Sequence, residues 1–167
     1  MGWAGVTIIP RVAPESADAA VARVLAGATI IEFGGADVLV YEAPGESPSG
    51  PITAAEREWM VHATEVFRSM DPLLNVEEQD ERDGEDWPRA LFLDHDDSAA
   101  LIQIDREAAT LLVPRGRQRT DEDFEWWWRC VQHFADNEGC VIFETDDSAV
   151  VSTDMSASEA RPIVGWF

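Results

Sequence analysis

Residues 90–101 read ALFLDHDDSAAL, and residues 140–151 read CVIFETDDSAVV. In each, an apolar run meets a short acidic turn and a second apolar run follows, the pattern of two strands joined by a tight reversal. The stretches agree in character position by position, share Asp-Asp-Ser-Ala and start 50 residues apart. Residues 28–33 and 37–41, on either side of Gly34-Gly35, predict another hairpin. Hairpins join antiparallel strands, so three of them call for a mainly antiparallel sheet.

Outward from the hairpins, two further strands are predicted at residues 7–10, ended by Pro10, and 110–113, closed by Pro114. Three helices fill the intervals. Ser16 caps a small-residue helix that reaches about residue 26 before Gly27. Thr53-Ala54-Ala55-Glu56 is a capping box, and from it Trp59, Met60, Ala63, Val66, Phe67 and Met70 fall on one helical face. Thr120 caps a third helix running to about residue 137, with Asp121, Glu122 and Asp123 at the positive end of its dipole and Gly139 as its stop. The stretch after residue 152 reads as an irregular tail ending in Trp166-Phe167.

The predicted class is therefore α+β: one domain over residues 1–167, with about three helices packed on one face of the sheet. A β-α-β-β unit occurs twice in this reading. IIPR at residues 8–11 and LVPR at residues 112–115 each precede a capping hydroxyl by the same interval, Ser16 and Thr120, and helix, Gly and hairpin follow in both. Duplication accounts for this, and so does the general likeness of short strand–turn–strand units.

Composition narrows function mainly by exclusion. The chain carries 33 Asp and Glu against 12 basic residues, every one an Arg, for a net charge of -21. Without Lys there is no P-loop lysine, no Schiff base and no Ser–Lys dyad. The charge repels phosphate, so direct nucleic-acid binding is not expected. With 46% apolar residues, seven Trp and seven Phe, the acidity rides on a chain that can bury a core. The first dozen residues show neither a basic region nor a long apolar stretch, so no membrane association is expected and cytoplasmic residence is the expectation.

The acids are unevenly spread. Residues 54–110 hold sixteen, against six in residues 1–53 and eleven in residues 111–167. The densest run, EEQDERDGED at residues 77–86, contains Glu77, Glu78, Asp80, Glu81, Asp83, Glu85 and Asp86 and reads as a solvated loop, with Trp87 directly after it.

Residue constellations for chemistry are thin. The turn with Asp94, Asp96 and Asp97 clusters oxygens as a Ca²⁺ loop does, but Ala99 stands where an EF-hand needs Gly and Asp105 where it needs Glu. His62 is expected to pair with Glu58 or Glu65 on its own helix. His133 lies three residues after Cys130, and only Cys140 is close enough in sequence to add a metal ligand, short of the four a structural zinc needs. Two cysteines without a CxxC suggest buried thiols. No metal and no cofactor are expected. Trp126 falls opposite the apolar stripe of its helix, where it is either an interface anchor or is covered by another part of the chain.

These readings lead to the expectation of a non-catalytic acidic binding protein that neutralises a basic protein partner, of the kind represented by bacterial toxin-immunity proteins and inhibitors of nucleic-acid-binding enzymes. The expected contact set is the acids of residues 77–86 with Asp94, Asp96 and Asp97, and Trp87 and Trp126 as anchors. The competing expectations are a housekeeping or structural domain whose acidity reflects GC-rich codons or salt adaptation, and a hydrolase built on a carboxylate pair.

Overall fold

The computed structural model describes residues 3–11, 16–24, 28–33, 36–41, 52–78, 90–95, 100–114, 120–144 and 149–163. The chain opens with strand β1 (Trp3–Ile9) and helix α1 (Ala17–Val24), followed by β2 (Ala28–Phe33) and β3 (Ala36–Tyr41). Helix α2 (Ala54–Met70) leads into β4 (Asn75–Glu78), β5 (Ala90–Asp94), β6 (Leu101–Asp105) and β7 (Ala109–Pro114). Helix α3 (Asp121–Gln132) passes into a π-helical turn at His133–Asn137, and β8 (Val141–Glu144), β9 (Ala149–Val150) and α4 (Ala157–Ile163) follow. The predicted α+β class, antiparallel sheet and three hairpins are all present.

Among the described residues, seven strands form one antiparallel sheet in the order β4-β5-β6-β7-β1-β8-β9, and β2 pairs with β3 in a separate two-stranded ladder. The N-terminal strand is thus central, with Val6 opposite Leu111 on one side and Glu144 on the other. Both β-α-β-β units exist in chain order, but their hairpins are placed differently. The β8–β9 hairpin extends the main sheet from β1, whereas β2–β3 stands apart from it.

Alternation along the strands sends Val6, Ile8, Leu91, Leu93, Ile102, Ile104 and Leu111 to one face, where they meet α2, α3 and α4 in the larger core. Met60, Ala63 and Phe67 come from α2, Phe124, Trp127, Trp128 and Val131 from α3, and Ala160 from α4. Each fully buried Phe contributes about 1.5–3 kcal/mol through removal from water, which outweighs the weak intrinsic preference of aromatics for helix. The opposite face is covered in part. Ile9, Val141 and Phe143 there pack against Ala20 and Val21 of α1. Helices therefore lie on both faces, a correction to the one-face expectation, because the small residues of α1 sit close over the β1–β8 pair.

The Thr53–Glu56 capping box forms as the sequence predicts, and Thr120 caps the third helix as expected, with Asp123 closing a second box there. Three local expectations are corrected. Glu77 and Glu78 belong to a strand rather than a loop, since pairing of β4 with β5 supplies their backbone partners and an edge strand tolerates charge. The supposed irregular tail contains α4, started by the Ser156 hydroxyl accepting from the Glu159 amide at 3.3 Å. The third helix widens into a π turn before Gly139, whose φ of 69° closes it.

Candidate partner-binding edge

Strand β4 forms one rim of the sheet, and among the described residues no strand lies on its outer side. All four of its residues are exposed. Asp71 fixes how the chain enters it. At the C-terminal end of α2, Asp71 accepts the Leu73 amide on its side chain at 3.2 Å, and its carbonyl accepts the Leu74 amide. Its other carboxylate oxygen meets His95 Nε2 at 2.6 Å, tying the end of α2 to the residue following β5. Leu74 turns inward and is fully buried, while Leu73 stays 71% exposed and Val76 38% exposed. The edge thus presents two apolar side chains beside its acids, where a purely solvated acidic strand would present none.

Of the residues singled out from the sequence, Glu77 and Glu78 lie on this edge, with Glu77 opposite Phe92 and Glu78 opposite Leu91. Asp94 is exposed at the end of β5, opposite Asn75 and so on the same sheet face as Glu77. Trp126 is not left on a polar face. It is half-buried against the larger core, and its indole N–H points to the Met70 carbonyl at 3.4 Å. That covering comes from the last turn of α2, one residue before Asp71, so Trp126 buttresses the approach to β4 from behind. Asp80, Glu81, Asp83, Glu85, Asp86 and Trp87, and likewise Asp96 and Asp97, lie outside the described residues.

Two polar constellations escaped the sequence reading because their members are far apart along the chain. Glu138 accepts from His62 at 2.5 Å on one carboxylate oxygen and from His133 at 2.9 Å on the other. The Asn137 side-chain amide lies 3.1 Å from His133 Nδ1. The predicted pairing of His62 within its own helix gives way to this clamp between α2 and the residue after the π turn. Glu56 forms the second. Arg106 grips both its oxygens, at 2.7 and 2.9 Å. That grip, with the Thr53 amide, holds the Glu56 carboxyl at about 2 despite the opposing effect of burial. Neighbouring Asp105 and Glu107 shift upward, both through burial, with the Glu56 charge adding to the effect at Glu107.

The Glu56 arrangement is a structural one. Both oxygens of Glu56 are engaged in capping and ion pairing, which leaves it no role as base or nucleophile. Burial pushes both the Cys130 and the Cys140 thiol up to about 12, so neither is a ready nucleophile. Among the described residues no group of three His, Cys, Asp or Glu could hold a metal ion, and no helix is long and apolar enough to cross a membrane. A shallow groove of 290 Å³ lies toward the other rim of the sheet, with Arg11, Asp136, Val151, Thr153 and Asp154 in its walls. Its Thr153 hydroxyl donates to Asp136 at 2.8 Å.

Comparison with protein families, curated proteins and solved structures finds no match to this chain.

Proposed function

We propose that this is a non-catalytic acidic binding protein that neutralises a basic protein partner, as toxin-immunity proteins and inhibitors do. One observation carries the reading: the rim strand β4 is exposed along its length and sets Glu77 and Glu78 beside the uncovered Leu73 and Val76. Acids steer a basic partner and fix its register, while apolar side chains supply the contact energy that charge in water does not. At -21, the whole chain adds a long-range field of the same sign.

The test uses the chain as bait in its source cell extract at about 50 mM and about 500 mM NaCl, where the screening length falls severalfold. A basic protein should be retained at low salt and released at high salt. The triple variant Glu77→Arg, Glu78→Arg, Asp94→Arg should slow association with that protein by about tenfold or more. If nothing basic is retained at low salt, or the triple variant binds as fast as the parent, the proposal fails.

A further inference from the structure

We infer that the groove toward the β9 rim is a binding site for a small zwitterion with an aliphatic body, the chemistry of a free apolar α-amino acid. Its volume of 290 Å³ stands at the lower end of small-molecule sites, which run from about 300 to about 1,000 Å³. Among the described residues, β4 and β9 are the two ends of the strand order, so this site lies apart from the acidic edge. Three segments distant in sequence supply its charged walls. Arg11 follows β1, Asp136 sits in the π turn after α3, and Asp154 follows β9.

Arg11 shares the groove with two acids, yet among the described residues no ion pair joins it to either. The acids are positioned from their own side. Asp136 accepts the Thr153 hydroxyl at 2.8 Å, and the Asp154 amide donates to the Ser152 hydroxyl oxygen at 3.3 Å. The π turn shifts the side chains it carries, Asp136 among them, out of regular α-helical register, and such turns recur at functional sites. A zwitterion bridges the separated charges. Its ammonium donates to the two carboxylates, and its own carboxylate accepts the planar fork of Arg11 through both oxygens. Ala17, Val141 and Val151 in the walls offer its aliphatic part an apolar surface. Charge also selects against simpler ligands. A chain at -21 repels a free anion, and a free cation leaves Arg11 uncompensated, whereas a zwitterion is neutral and satisfies both poles.

The experiment titrates L-leucine into the full chain by calorimetry, beside isoamylamine, which lacks the carboxylate, and isocaproate, which lacks the ammonium. L-Leucine should bind about tenfold or more tightly than either, the worth of one charge-assisted hydrogen bond. Amide shifts in two-dimensional NMR should cluster at residues 136 and 151–154. Arg11→Gln and Asp154→Asn should each weaken binding by about tenfold. Arg68→Gln on α2 removes the same single positive charge outside the groove and should leave binding unchanged. Arg11 and Asp154 are both exposed, so the variants should keep the parent's unfolding midpoint. If L-leucine binds no better than the amine and the acid, or the shifts fall away from the groove, the site is not an amino-acid site. Undiminished binding to both groove variants overturns it equally. Each of these results leaves the β4 reading standing, because that reading is tested by the basic protein retained from extract.

Discussion

At Glu56 a single carboxylate accepts the Thr53 amide at 2.9 Å and two N–H groups of Arg106, so a helix cap and a link to the β6–β7 turn depend on one charge. Its pKa near 2 lies below the ordinary 4.5, so the charged form is favoured by folding. The resulting stability is fully present above about pH 4.5 and is lost as pH falls toward 2. Glu56→Gln should cost about 1.5–3 kcal/mol at neutral pH, and this difference from the parent should shrink to little by pH 2 in denaturant titrations. Asp105 behaves in the opposite sense. Burial raises its pKa, so its ionisation opposes folding at neutral pH and acidification relieves the penalty. Asp105→Asn keeps an acceptor for the Gln103 amide and should raise the unfolding midpoint at pH 7 but not at pH 3. Gly5 is constrained by shape instead of charge. A Cβ there would fall on the Leu111 carbonyl oxygen of the paired strand, well inside van der Waals contact. Gly5→Ala should cost about 1–3 kcal/mol in thermal or denaturant unfolding.

Among the elements, α2 and the turn that ends α3 meet through aromatic rings on the helix-covered face. Phe134, inside the π turn, is fully buried, with its ring 5.1 Å from Phe67 and 5.9 Å from Trp59 of α2. The His62–Glu138–His133 clamp spans the same junction at the surface, and Trp126 joins the last turn of α2 farther along. Phe134→Ala should cost about 3–5 kcal/mol, a large part of the roughly 5–15 kcal/mol that holds a domain folded. The measurable result is a thermal midpoint lowered by many degrees, with near-ultraviolet circular dichroism reporting looser aromatic packing. Helix α4 is held from the other side of α3. The Trp128 indole and the Gln132 amide both donate to the Met155 carbonyl, and Arg161 pairs with Asp121 at the start of α3.

For the whole molecule, a charge of -21 on 167 residues means that folding gathers like charges into a smaller volume. Added salt screens that repulsion within about 10 Å at 0.1 M. The urea midpoint should therefore rise as NaCl goes from about 10 mM to about 300 mM, with no change in the slope of the transition. A midpoint that stays flat or falls would show that attractive pairs such as Glu56–Arg106 outweigh the overall repulsion. Charge on this scale also bears on association, since molecules that each carry -21 repel one another.

What the sequence determined alone is what is encoded over a few residues. The Thr53–Glu56 box, the Thr120 cap, the hairpins and the stop at Gly139 each depend on neighbours within one or two turns, and the order of residue types specifies them. Helix α4 reads instead as an irregular tail: its local start signal at Ser156 and Glu159 is obscured by Pro162 and by the short length of the helix. The candidate site was legible only as composition. Acid density marked Glu77, Glu78 and Asp94, but nothing local shows that residues 75–78 pair with β5 as the rim of a sheet. Tertiary structure decided the central place of β1, the seating of α1 on the opposite face, the covering of Trp126 by a carbonyl 56 residues away and the meeting of His62 with Glu138 across 76 residues. These follow from burying apolar surface from distant segments against one another, and that balance is struck over the whole chain, where no short window of sequence records it.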